Sequence, residues 1–318
     1  MLLVSLPDKL PEKEFLKLTR FVQPMEVLVE EDFLNPVNRL PLEKVEIWIT
    51  YGSDITEKAL NRMPSLKWIQ VFQSGTEKVP IEELRKRNVM LTNIKGIHGI
   101  PMTEHVISTM LYFTKNIQKY NTNKAKRVWD RTGYDEELYG KTVSIFGAGT
   151  VGVAIAERCR DFGMHVIGIN TNGIQKPPFD EMYSMNNKEM VLKESDYIIL
   201  LLPATPATHH CISKNELSLM KKSAYLINLG RGPLINNEDL ITSLENGDIS
   251  GAALDVFDEE PLPKDNPLWG APNLLLTPHM AARTKNYYER AMDKFLLNFS
   301  AFQKNEQPPY YIDFDRGF

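Results

Sequence analysis

Short apolar runs alternate with amphipathic segments along the first third of the chain. Leu2 to Leu6, Met25 to Val29, Val45 to Thr50, Leu66 to Phe72 and Val89 to Thr92 read as strands. Pro11 to Phe21 and Thr56 to Met63 read as helices, with Pro11 near a first turn, where its missing N–H costs little. Strands alternating with helices predict a parallel sheet covered on both faces. Residues 1 to about 98 therefore form a first α/β domain.

The pattern then changes period. From Pro101, the residues Met102, His105, Val106, Met110, Phe113 and Ile117 fall at three- and four-residue steps, which predicts a long helix. The basic stretch Lys119 to Arg127 follows and reads as a solvated face. A second α/β unit comes next. Its strands are Val143 to Phe146, Met164 to Ile169, Asp196 to Leu202, Ala224 to Leu229, Ser250 to Leu254 and Leu274 to Leu276. Helices are expected over Val151 to Phe162, Ser213 to Met220 and Asn236 to Asn246, the last closed by Gly247. Thr284 to Phe302 is a final helix, and 305 to 318 a tail.

Composition narrows the class without changing this picture. The chain has 318 residues, 42% of them hydrophobic and 25% charged, which suits a globular protein of two domains. A net charge of −4 gives no electrostatic reason to expect nucleic acid or an anionic membrane. The two cysteines, Cys159 and Cys211, form no C-x-x-C and suit a reducing cytoplasm. Met1 to Leu6 carries no secretory pattern, and no apolar run is long enough to span a bilayer. His209, His210 and Cys211 stand in a row, but adjacent residues on one short segment point different ways. No metal site is expected.

The most informative stretch is Val143 to Gly152. An apolar run enters Gly147, Gly149 and Gly152, a G-x-G-x-x-G, and a helix follows. That context makes it a dinucleotide fingerprint. Gly147 allows a tight turn, Gly149 lets the backbone approach a pyrophosphate, and Gly152 lets helix and strand pack closely. The helix N-terminus offers free N–H groups to the phosphates. An acid is then expected at the end of the next strand, on the ribose 2′-OH. The strand ends instead in Ile169-Asn170-Thr171-Asn172, and Asn170 repels neither a hydroxyl nor a phosphate. Lys176 is the nearest cation. NADP(H) is favoured over NAD(H) on that ground.

Three titratable or charged side chains lie just past strand ends: Arg231, Glu260 and His279. Ligands of open parallel sheets sit at those ends. Hydride transfer to a 2-keto acid needs a fixed carboxylate, a polarised carbonyl and a proton donor. A guanidinium suits the first and an imidazole the last. A carboxylate bonded to the imidazole favours its proton-donating form. Asp255 is either a carboxamide acceptor or a strand-end cap. Ser74 and Gly75, after the fourth strand, offer N–H groups to a substrate carboxylate or form an ordinary turn.

These residues carry a resemblance. Lys67-Trp68-Ile69-Gln70 with Ser74-Gly75, Thr103-Glu104-His105, Gly140-Lys141-Thr142, the glycine motif, Leu202-Pro203-Ala204-Thr205-Pro206 with Thr208, Asn228-Leu229-Gly230-Arg231-Gly232, Gly251 to Phe257, Glu259-Glu260-Pro261-Leu262 and Thr277-Pro278-His279 run through nearly the whole chain. With them the chain resembles the D-isomer-specific 2-hydroxyacid dehydrogenases, which include glyoxylate and hydroxypyruvate reductases and phosphoglycerate dehydrogenases. The resemblance implies two doubly wound parallel-sheet domains. A Rossmann cofactor domain, 99–283, would be inserted in a flavodoxin-like substrate domain, 1–98 plus 284–318.

It further implies that Arg231 binds substrate carboxylate and carbonyl, that His279 is the acid/base paired with Glu260, and that Ser74 and Gly75 touch substrate. Thr103, Thr150, Val151, Asn170, Pro203, Thr208, Leu229 and Asp255 would lie along NADP or NAD. A homodimer is implied, with the helix near residues 101 to 127 at its interface. Many members have Asp at position 170, Ala at 103 and Asn at 98. Length leaves no room for a regulatory domain, which argues against serine feedback, and Glu260 argues against formate dehydrogenases. A corepressor-like NAD(P) sensor is the rival class. Substrate choice is expected to come from residues 50–54, 74–77 and 96–101, with Tyr51 and His98 as candidates.

Overall fold

The computed structural model describes every residue except 36–38, 77–78 and 315–318. Position 77 of the expected specificity loop and the end of the expected tail therefore lie outside the described residues. In chain order the elements are β1 (Leu2–Ser5), α1 (Glu12–Phe21), β2 (Val27–Val29), β3 (Ile47–Thr50), α2 (Glu57–Asn61), β4 (Trp68–Val71), α3 (Ile81–Lys86) and β5 (Met90–Thr92). Next come α4 (Gly99–Thr114), α5 (Ile117–Lys126), β6 (Thr142–Phe146), α6 (Thr150–Asp161), β7 (His165–Asn170), β8 (Glu181–Ser184) and α7 (Lys188–Glu194). The chain continues through β9 (Tyr197–Leu200), α8 (Lys214–Leu219), β10 (Tyr225–Asn228), α9 (Asn237–Asn246), β11 (Gly251–Leu254), β12 (Leu274–Leu276) and α10 (Tyr287–Gln303).

Contacts divide the chain into two compact units, Met1–Ile97 with Lys285–Phe318, and His98–Thr284. The first holds a five-stranded parallel sheet in the order β2-β1-β3-β4-β5, the flavodoxin-like arrangement. The second holds a seven-stranded parallel sheet in the order β12-β11-β10-β9-β6-β7-β8, a Rossmann order extended by one strand. The expected fold class is the observed one. Strands β1, β3, β4 and β9 are buried at every residue, as parallel strands sandwiched between helices must be. Among the described residues, no helix is long and apolar enough to cross a membrane.

Some elements depart from the expected pattern. The long helix ends at Thr114, and a second begins at Ile117, because Asn116 takes a left-handed conformation (φ 48°). Asparagine tolerates that conformation. The basic stretch is α5, and none of its residues is buried. The elements α3, β8 and α7 are short and carry too little periodicity to stand out in the sequence.

Helix α10 joins the first unit through polar atoms as well as apolar ones. Gln70 Oε1 accepts from Asn298 Nδ2 and from Thr92 Oγ1, both at 2.8 Å. Thr92 Oγ1 in turn accepts from Trp68 Nε1 at 2.8 Å, and the Trp68 ring stacks on Phe295 at 5.3 Å. Gln70, Thr92 and Asn298 are fully buried. Gln70→Leu would strand the Asn298 amide and a Thr92 hydroxyl. It is expected to lower unfolding free energy by about 2–4 kcal/mol, since each buried orphan costs about 1–3 kcal/mol. Urea denaturation checks this; an unchanged midpoint would mean that the network contributes nothing.

Candidate active site

Strand order in the second unit reverses between β6 and β9, so its crevice lies at their carboxyl ends. Gly147 leaves β6 with φ 112°, open to glycine and strained for other residues. A Cβ added to Gly152 would lie 2.3 Å from the Gly147 carbonyl oxygen, which is why α6 can start directly against the strand. A Cβ on Gly149 would meet nothing within 4 Å, so the face of the turn beside the α6 N-terminus is open. Gly149 supplies no side-chain cap to α6. On α4, which packs against α6, Thr103 Oγ1 is buried without a hydrogen-bond partner among the described residues. An open glycine cradle, an uncapped helix start and an orphaned hydroxyl fit a dinucleotide in this unit.

Asn170 braces its own loop. Its Oδ1 accepts from Asn172 N at 3.1 Å and Gly173 N at 2.6 Å, and its Nδ2 donates to Ile174 O at 3.3 Å. The Lys176 ammonium donates to the Ala148 carbonyl inside the glycine turn. Past β9, the Thr208 hydroxyl donates to Pro203 O at 2.6 Å and accepts from Thr205 N at 2.9 Å, closing that loop on itself. Thr150 is exposed and Val151 half-buried at the start of α6. Leu229 is buried just past β10.

The Arg231 turn is shaped by Asn228, which is 1% exposed. Its Oδ1 accepts from Gly230 N at 3.0 Å and its Nδ2 donates to Arg231 O at 2.9 Å. Arg231 Nη1 donates to Gly230 O at 2.8 Å. A Cβ on Gly232 would fall 2.1 Å from the Phe257 carbonyl carbon and 2.4 Å from Asp258 N. Glycine there lets the Arg231 turn press against the segment that leads into Glu260.

Asp255 directly follows β11 and is only 2% exposed. Its Oδ1 accepts from Thr277 Oγ1 at 2.5 Å and Met280 N at 2.8 Å, and its Oδ2 from Ala281 N at 2.9 Å. These bonds hold a turn in which His279 sits at φ 53°, a conformation uncommon for histidine. Its N–H donates to Asp255 O at 2.8 Å. The ring is thereby delivered to Glu260: His279 Nδ1 lies 2.7 Å from Glu260 Oε2. Glu260 Oε1 accepts from Phe257 N at 3.0 Å. Both side chains reach solvent.

Burial pushes His98, directly before α4, down to about 4 and lowers His105 within that helix, the Asp255 carboxylate pulling His105 the other way. In the first unit, Ser74 and Gly75 follow β4, and Asn93 Nδ2 donates to Ser74 O at 3.0 Å. Tyr51 follows β3, where Ser5 Oγ and Thr50 Oγ1 both donate to the Asp54 carboxylate and order the loop.

The second unit thus joins Arg231, Glu260, His279 and Asp255 at neighbouring strand ends. Sequence reasoning missed Asn228 as the brace of the Arg231 turn and Thr277 as a partner of Asp255. An asparagine at a strand end, two residues before Gly-x-Gly, is a recognisable side-chain-to-backbone turn signal.

The chain is similar to known proteins in sequence and in fold. The family model described as D-isomer specific 2-hydroxyacid dehydrogenase, NAD binding domain, matches residues 107–281. A glyoxylate reductase of Thermococcus litoralis is 32% identical over 328 aligned residues, covering 98% of this chain and 97% of that protein. A D-isomer specific 2-hydroxyacid dehydrogenase family protein from Aeromonas salmonicida superposes with a TM-score of 0.89 at 32% identity, covering 99% of each chain. An acyclic imino acid reductase solved with NADPH and D-Arg gives a TM-score of 0.85 at 26% identity, covering 98% of this chain and 100% of that one.

Asp255→Asn would aim an amide NH₂ at backbone donors. It is expected to cost about 1–3 kcal/mol of stability and to loosen the His279–Glu260 pair. Urea unfolding together with the His279 ring signals in NMR checks this. An unshifted midpoint and unchanged ring signals would mean that the turn does not depend on the carboxylate.

Proposed function

The chain belongs to the D-isomer specific 2-hydroxyacid dehydrogenase family and is an oxidoreductase of the CH–OH group; on that premise we propose that it interconverts a small 2-keto acid of the glyoxylate or hydroxypyruvate type with the D-2-hydroxy acid. The observation that carries the reading is the His279–Glu260 pair, with Nδ1 and Oε2 2.7 Å apart, beside the Arg231 turn. The nicotinamide supplies hydride when bound. Arg231 binds the carboxylate and polarises the carbonyl, its fork geometry matching both oxygens. His279 Nε2 delivers the proton to the carbonyl oxygen as C2 is reduced. Glu260 accepts from Nδ1 and so fixes which nitrogen faces the reactant. Ser74 and Gly75 N–H groups are further carboxylate contacts.

The cofactor would lie over Gly147, Gly149 and Gly152, with its pyrophosphate at Thr150 and Val151 on the α6 N-terminus. Pro203, Thr208 and Leu229 line its course. The orphaned Thr103 hydroxyl suits the carboxamide end. Asp255 carries three donors of about four that a carboxylate accepts, which leaves capacity for the carboxamide amine. We favour NADP(H): no acid ends β7, and a relative of the same fold was solved with NADPH.

His279→Ala is expected to lower kcat by about 10²–10⁴-fold while dinucleotide affinity is unchanged, the usual contribution of a positioned general acid. Initial rates with NADPH and NADH against glyoxylate, hydroxypyruvate, pyruvate and phenylpyruvate read this out. Retained turnover in the variant would remove His279 from the mechanism. Cofactor binding with no turnover of any acid in the wild type would favour the sensor class instead.

A homodimer is part of the same reading. No residue of α5 is buried, and Trp129, Tyr134 and Tyr139, just beyond it, are 91%, 100% and 78% exposed. Aromatic surface of that extent is what a second copy would cover. Light scattering after size exclusion is expected to give twice the chain mass, falling to a monomer in a Trp129→Asp/Tyr134→Asp double variant. A monomeric wild type would overturn the assignment.

A further inference from the structure

One lysine beside the glycine turn has no part in the chemistry above. Gly147 N and Ala148 N both donate to the Ile169 carbonyl, at 2.9 and 3.1 Å, so the turn abuts the carboxyl end of β7. Asn170 comes next, at the position from which dinucleotide folds usually reach the ribose hydroxyls. Its side chain is occupied by Asn172, Gly173 and Ile174. The tight turn so formed folds the segment back over the glycine loop, and the half-buried Lys176 returns to donate to Ala148 O.

The electrostatics at this point are one-sided. From Asn170 to Pro177 there is no Asp or Glu. Among the described residues, Lys176 takes part in no ion pair, and its hydrogen-bond partner is a neutral carbonyl. An ammonium has three donors, and Ala148 engages one. A half-buried cation with spare donors, next to the ribose end of a dinucleotide cradle, is a site for a phosphate monoester. A ribose hydroxyl would gain a hydrogen bond there but no partner of opposite charge, which makes it the weaker ligand.

We propose that Lys176 selects the 2′-phosphorylated dinucleotide, pairing with its 2′-phosphate, while Asn170 serves only to fold the loop that brings the lysine there. This deepens the cofactor reading above and rests on the glycine turn being a dinucleotide site.

The test is calorimetric titration of the whole chain, without any acid substrate, with NADPH, NADH, 2′,5′-ADP and 5′-AMP. The wild type is expected to bind NADPH more tightly than NADH, and 2′,5′-ADP more tightly than 5′-AMP. Lys176→Ala should weaken both 2′-phosphorylated ligands by about tenfold or more and leave the other two within about twofold, as loss of one charge-assisted bond requires. Lys176→Arg should keep the preference, and added salt should erode it. Equal weakening of all four ligands in Lys176→Ala would reduce the lysine to a brace of the glycine turn. Wild-type binding of NADH as tight as that of NADPH would also overturn the assignment, with the dinucleotide site intact. Binding of none of the four by the wild type would overturn the dinucleotide reading itself, and Lys176 with it.

Discussion

A single buried carboxylate organises the chemistry of the second unit. Asp255 is nearly without solvent, so leaving its oxygens unpaired would be costly. The donors that satisfy it come from Thr277, Met280 and Ala281, which bracket His279. A left-handed histidine is not a low-energy choice in isolation. It persists because the surrounding bonds over-determine it. The desolvation of one side chain is thus converted into the position of another, and the His279–Glu260 pair follows from that position.

Close backbone approach has the same standing on the other side of the site. Gly152 sets α6 against the Gly147 carbonyl, and Gly232 sets the Arg231 turn against Phe257 and Asp258. In both places a methyl group would overlap the main chain, which cannot move aside as a flexible side chain can. The glycines therefore matter less for flexibility than for distance. They bring the α6 N-terminus against the end of β6, and the guanidinium turn against the segment that leads into Glu260. Asn228, bonded to both sides of the Gly230–Arg231 turn, fixes the remaining freedom of that turn.

The cofactor loop shows how a polar residue can act through the backbone rather than on a ligand. Asn170 was the natural candidate for a ribose contact, because of its place at the end of β7. Its oxygen and its amide are instead spent on the turn that follows. The nearest cationic group, that of Lys176, is carried back by that turn to Ala148.

Much of this was legible along the chain. Apolar runs of strand length separated by amphipathic segments determine a pair of parallel α/β sheets, because buried strands cannot alternate and crossovers need helices. Gly147, Gly149 and Gly152 between strand and helix, and Arg231, Glu260 and His279 after strand ends, are local signals of that kind. The break at Asn116 and the short elements α3, β8 and α7 were not legible, and the return of the last helix to the first unit was expected only through the resemblance. The contacts that seat that helix, as when Asn298 meets Gln70, join residues distant in sequence. The same holds within the site. Sequence by itself named the residue types that hydride transfer requires. Only the tertiary structure decided that Asp255 holds the His279 turn, that Asn170 is occupied by its own loop, and that Lys176 stands beside the glycine turn. Hydrogen-bond satisfaction in a buried setting depends on which groups the fold brings together, and the order of residues does not state that.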